Sequence, residues 1–162
     1  MNEQKWIVAA RNYLGTAEVH GSGTAPLIRT WLTSLKAWWT DDETPWCGTF
    51  VAACMKEAGI LPAKNWYRAM GWLDWGTPIA RPVPGCVVVY ARTGGGHVGF
   101  VVGRDGTGRI MTLGGNQGDR VSIAAFDPLR VAGYRWPSAV PLPTTELVLF
   151  ASNGQPASNN EA

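Results

Sequence analysis

No apolar run in the 162-residue sequence approaches the roughly 18–20 residues of a membrane-spanning helix, so no membrane span is expected in it. The first residues, Met1-Asn2-Glu3-Gln4-Lys5, are polar, and no basic stretch leads into an apolar one. No secretory leader is therefore expected, and any work outside the cytoplasm would need delivery or release by another agent. Charge is also scarce. Fourteen Lys and Arg against twelve Asp and Glu leave a formal +2, too little to argue for a nucleic-acid partner. A weak pull on an anionic substrate remains. No CxxC, CxxH or HExxH spacing occurs, which disfavours zinc. The glycines 94–96 are followed by His97, not Lys-Ser/Thr, so they form no phosphate loop. No cofactor is expected. Three cysteines cannot all pair within the chain. Cys47 and Cys54, seven apart on one helix, would lie roughly 10 Å apart, beyond the roughly 7 Å a disulfide spans. A Cys54–Cys86 bond is left open.

What is present is enough for one packed domain. Hydrophobic residues make up 46% of the chain. Trp6, Ile7, Ala10 and Leu14 predict a first helix over 3–14, and Leu27, Ile28, Trp31, Leu32 and Leu35 a second over 26–36. A third runs from Pro45 to Gly59, and a short one is expected within 64–75. After Pro78 the pattern turns β-branched between glycine-rich turns. Strands are expected at 85–90, 97–102, 109–113, 121–123 and 131–136. Helices first and strands after give an α+β domain with a small antiparallel sheet or half-barrel of about five strands. The packed domain is assigned to 1–137. Residues 138–162 form a C-terminal extension, its end from Ser152 to Ala162 expected to be disordered.

The stretch Thr44-Pro45-Trp46-Cys47-Gly48-Thr49-Phe50-Val51 carries the chemistry. Thr44 suits an N-cap, Pro45 the first helical position, and Gly59 the stop. Cys47 then sits among the unpaired N–H groups of the first turn, where the helix dipole favours thiolate over thiol. Cys47, Phe50, Val51, Cys54 and Ala58 share one helical face, with Thr49, Lys56 and Glu57 opposite.

A thiolate needs a base. His97 opens the second strand, and Gly99, on the same strand face, would let a helix backbone come close. The bland reading, a satisfied core histidine, is outweighed by the pairing with a helix-start cysteine. A third group is needed to orient the imidazole. Asn116 is the first candidate, by period 2 on the face of Ile110, Thr112 and Gly114. Gln117 and Asp119 are fallbacks, and a plain turn role for Asn116 stands beside these. His20 has no local partner. Glu18 either lines the cleft or is a solvated loop acid. The nine tryptophans are mostly core or cleft wall, and a few could stack on sugar rings.

The order cysteine, histidine at a strand start, asparagine after the next strand resembles the NlpC/P60 and CHAP cysteine peptidases. These are papain-like enzymes that cut bacterial cell-wall peptides. The matching stretches are Tyr13 to Glu18, Thr44 to Val51, Ala69 to Gly76, Pro84-Gly85, Gly95 to Phe100 and Gly114 to Gly118, within roughly residues 5–136. The resemblance implies Cys47 as nucleophile, His97 as base and Asn116 as third member. Trp46, Glu18, Gln117 and Trp72 become the candidate substrate-binding residues. Cys86 departs from the pattern, since the family often has an acid after Pro-Gly. The implied activity is hydrolysis of an amide in the peptidoglycan stem peptide, as an endopeptidase or N-acetylmuramoyl-L-alanine amidase. A monomeric phage-type endolysin acting in the periplasm is expected. The alternatives are a toxin delivered into rival bacteria with an immunity protein as partner, a non-catalytic wall-binding module, and a transglutaminase-type or deamidating use of the triad.

Overall fold

The computed structural model describes residues 3–19, 25–41 and 44–150. His20 and the tail from Ser152 lie outside them. Three α-helices come first: α1 (Lys5–Asn12), α2 (Pro26–Ser34) and α3 (Cys47–Glu57). A 3-10 turn (Ala69–Asp74) leads into the strands. These are β1 (Thr77–Ile79), β2 (Val87–Arg92), β3 (Gly95–Asp105), β4 (Ile110–Gly114), β5 (Ser122–Phe126), β6 (Val131–Trp136) and β7 (Leu149–Phe150). The fold is α+β, consistent with a papain-like arrangement. No helix among the described residues is long and apolar enough to cross a membrane.

The sheet runs β1-β6-β2-β3-β4-β5, antiparallel throughout, while β7 pairs parallel with β3 at Arg104 and Asp105. Among the described residues it thus has seven strands where about five were expected. The two additions are three and two residues long. Neither carries an alternation of its own, and each is a strand only because β6 or β3 offers an edge. β7 takes up β3 beyond the part that β2 covers, so the segment after 137 lies partly against the sheet.

β3 is buried from His97 to Gly103, which marks it as the centre of the molecule. α3 is buried at every position from Cys47 to Met55. Thr49, expected on an outer face, is 1% exposed. The stripe reasoning fails because α1, α2 and the sheet all pack around this helix. Cys54 and Cys86 are free buried thiols, so the bond left open is not made.

Gly99 does not serve the helix. A Cβ there would meet Thr112 Cγ2 at 2.6 Å and Leu113 O at 3.1 Å, both on β4. α3 instead packs through Phe50 on Phe100, with ring centroids 6.1 Å apart. Phe100 alternates to the opposite side of β3 from Gly99. Only the N-terminal end of α3 comes round to His97.

Candidate active site

α3 begins at Cys47, two residues later than expected, with Trp46 as N-cap and no side-chain cap. Thr44 turns back instead: its N–H and hydroxyl both donate to Asp41 Oδ1, at 2.7 and 2.8 Å. The delay moves Cys47 to the first helical position, where backbone N–H groups have no partners within the helix.

Burial is the largest influence on the Cys47 thiol and acts against its ionisation. A hydrogen bond with His97 and the charge of its ring act the other way. So do hydrogen bonds from the backbone N–H groups of Val98 and Gly48. The balance lowers the Cys47 pKa below its ordinary value.

His97 is fully buried, and its Nε2 lies 2.9 Å from Gln117 Oε1. Chemistry decides which atoms carry hydrogen. Gln117 Nε2 faces Ser122 O at 2.9 Å and Thr112 O at 3.2 Å, and carbonyls can only accept. The amide nitrogen must therefore point to them, and Oε1 must face the ring. His97 Nε2 then carries the hydrogen and donates it to Gln117. Nδ1 is left for the thiol of Cys47.

Asn116 is thus not the group on the imidazole. β4 ends at Gly114, and Asn116 has φ 58°, in the left-handed region. The period-2 count that put Asn116 on the ring face was carried two residues past the strand. The left-handed residue turns the chain, and the next side chain, Gln117, swings under His97. Gly114 makes room, since a Cβ there would lie 2.2 Å from Gln117 Oε1.

A second support is aromatic. The ring of Phe126 lies parallel to His97, 5.3 Å between centroids, and parallel to Tyr90 at 4.4 Å. Tyr90 is the cross-strand partner of His97, and its hydroxyl is 2.6 Å from Thr112 Oγ1. The guanidinium of Arg130 sits 5.5 Å from the Phe126 ring centre. Sequence reasoning missed these residues. Alternation on β2 could have found Tyr90, but Phe126 requires the β4–β5 register.

The residues expected to touch substrate divide. Glu18 lies beside the site: its carboxylate accepts from Trp46 Nε1 at 2.9 Å, and its N–H donates to Asp119 O at 3.0 Å. It ties the residue before Cys47 to the turn that carries Gln117. Trp46 is 1% exposed and Gln117 3%, so both are buried behind the thiol and the imidazole. Trp72 is fully buried and donates to Trp66 O at 3.1 Å. That carbonyl abuts Gly48, where a Cβ would come within 2.1 Å of it. Trp72 therefore fixes the segment lying against the first turn of α3.

A thiol at a helix start, a buried imidazole and an amide behind the ring are the parts of a thiol acyl-transfer site. Residues 39–116 match the family model of the CHAP domain. Over these residues the chain is similar to that family. The match runs from Trp39 through Cys47 and His97 to Asn116, and so covers the thiol and the imidazole. No curated protein matches the chain. CHAP domains are typically hydrolases acting on peptidoglycan. That class of activity and substrate is what the CHAP match supports here.

Proposed function

We propose that the chain hydrolyses an amide bond of the peptidoglycan stem peptide, with Cys47 as nucleophile, His97 as general base and acid, and Gln117 as the group that orients the ring. The observations that support this reading are the influence of the buried His97 ring on the Cys47 thiol at the start of α3 and the hydrogen bond between His97 Nε2 and Gln117 Oε1 behind it. Cys47 Sγ attacks the carbonyl carbon while its proton rests on His97 Nδ1. The oxyanion that forms lies by the backbone N–H groups at the start of α3. As the C–N bond breaks, His97 passes the proton to the leaving amine. Water then adds to the thioester with His97 as base, releasing the carboxylic acid and the free thiol. Gln117 accepts from Nε2 throughout and holds the tautomer that presents Nδ1 to sulfur.

The cleaved amide is either within the stem peptide or the one joining it to the lactyl group. The six matching sequence stretches favour a phage-type endolysin that reaches the periplasmic wall after release. A delivered toxin would use the same chemistry and differ in bringing an immunity protein. The test is turbidity of permeabilised Gram-negative cells. Wild-type protein lowers it, and Cys47→Ala, with an unchanged circular dichroism spectrum, leaves it flat. Full lysis by the folded variant contradicts the proposal.

A further inference from the structure

Next to the start of α3 lies an aromatic groove that the chemistry above does not use. It encloses about 580 Å³ and is lined by Trp38, Trp39, Trp66 and Tyr67, with Lys36 and Asp41 at its polar positions. Trp38 is 90% exposed and Tyr67 46%. Leaving a whole indole in water forgoes the stabilisation that burying a large apolar side chain provides. The ring is nevertheless held in place, edge-on to Trp39 at 5.4 Å, and Trp39 stacks on Trp66 at 5.7 Å.

Two features join this groove to the thiol. Thr44, three residues before Cys47, lines it and is anchored to Asp41. Trp66, on the other wall, backs onto Gly48, the residue after Cys47. A separate observation concerns Lys36, which has φ 61°. It occupies the left-handed position closing α2, where Lys36 N–H donates to Thr33 O and Ala37 N–H to Leu32 O. Glycine is the usual residue there, and an L side chain is disfavoured in that conformation. Strain of this kind gathers at binding sites, and the side chain it retains here is a cation in the groove.

We propose that this groove is a glycan subsite, holding an N-acetylated hexosamine ring of the strand whose attached peptide enters the Cys47 site. The apolar face of the sugar lies on Trp38. Asp41 receives sugar hydroxyls, and Lys36 meets the carboxylate of a lactyl-bearing ring. The choice of a glycan rests on the hydrolase reading above. A protein seated on the same patch is the competing occupant.

The experiment uses full-length Cys47→Ala protein, which cannot consume a ligand, titrated with the N-acetylglucosamine tetramer. Indole N–H resonances are followed by NMR. The Trp38 signal should shift on titration, and adding Trp38→Ala should weaken binding about tenfold. Because Trp38 is exposed, its truncation leaves no cavity, and a matching thermal midpoint confirms the fold. With Cys47 intact, Trp38→Ala should lower the ratio of kcat/KM on glycan-linked over free stem peptide by about tenfold. Indole signals that ignore the tetramer, or a Trp38→Ala protein that binds it equally well, overturn the subsite even if stem peptides are cleaved. Tetramer binding that depends on Trp38 supports the subsite even if the wild-type protein cleaves no stem peptide.

Discussion

A thiol that is 3% exposed would ordinarily hold its proton, because burial penalises the anion. At Cys47 the imidazole and two backbone N–H groups reverse that outcome. The consequence can be read chemically. Alkylation of Cys47 by iodoacetamide should reach half its maximal rate at a lower pH than a free thiol does, since only the thiolate reacts. In His97→Ala the two influences that come from the ring disappear, burial dominates, and the midpoint should move up. A profile that does not respond to His97→Ala would mean the ring does not act on the thiol.

The orienting group offers a second residue-scale test. Gln117→Ala removes the acceptor on Nε2 and should lower kcat at least ~10-fold. Asn116→Gly keeps the left-handed turn and removes only the side chain, so more than about half the rate should remain. The reverse ranking in steady-state kinetics would return the role to Asn116. The places of Cys47 and His97 in the fold were legible in the sequence because each is announced locally, by a helix start and a strand start. Gln117 was named only as a fallback. One left-handed residue after Gly115 changes which side chain faces the ring, and alternation along a strand cannot count through it.

Among the elements, α2 and α3 close with the same hydrogen-bond pattern. At α3 Gly59 N–H donates to Lys56 O and Ile60 N–H to Met55 O, with Gly59 at φ 80°. At α2 the equivalent position is Lys36. Gly59 was readable as a stop because glycine advertises this conformation. Lys36 advertises nothing, and the second helix was accordingly drawn through it to residue 36. Lys36→Gly relieves the left-handed strain but loosens the unfolded chain. The net gain should be about 0.5–1 kcal/mol. For a chain of this size the thermal midpoint should rise roughly 1–4 °C in a calorimetric scan. A lower midpoint would mean that contacts of the Lys36 side chain outweigh the strain. The start of α3 taught the opposite lesson. Thr44 and Pro45 have the right identities for a cap and first turn, yet Asp41 captures Thr44 and the helix waits for Cys47.

For the whole molecule, the order of helices and strands was legible, since each main strand has its own β-branched run between glycines. The register was not. It is set by pairings between distant segments, such as Ile110 with Phe126 across β4 and β5, while Gly15 N–H to Val121 O and Glu18 N–H to Asp119 O lash the N-terminal loop to the β4–β5 turn. Those ties, with the Glu18–Trp46 hydrogen bond, bring helix start, strand and turn to one place. The tryptophan count gave no hint of how the rings divide. Trp46 and Trp72 went to the interior, while Trp38 stayed outside.

The central claim is that this assembly cuts an amide and not a sugar linkage, and that it does so through Cys47. Mass spectrometry of purified muropeptides after digestion tests it directly. The account predicts product pairs whose masses sum to the substrate plus one water, with the break at an amide, the glycan intact, and no products from Cys47→Ala. New reducing ends, an unchanged muropeptide profile, or the same products from folded Cys47→Ala protein would contradict it.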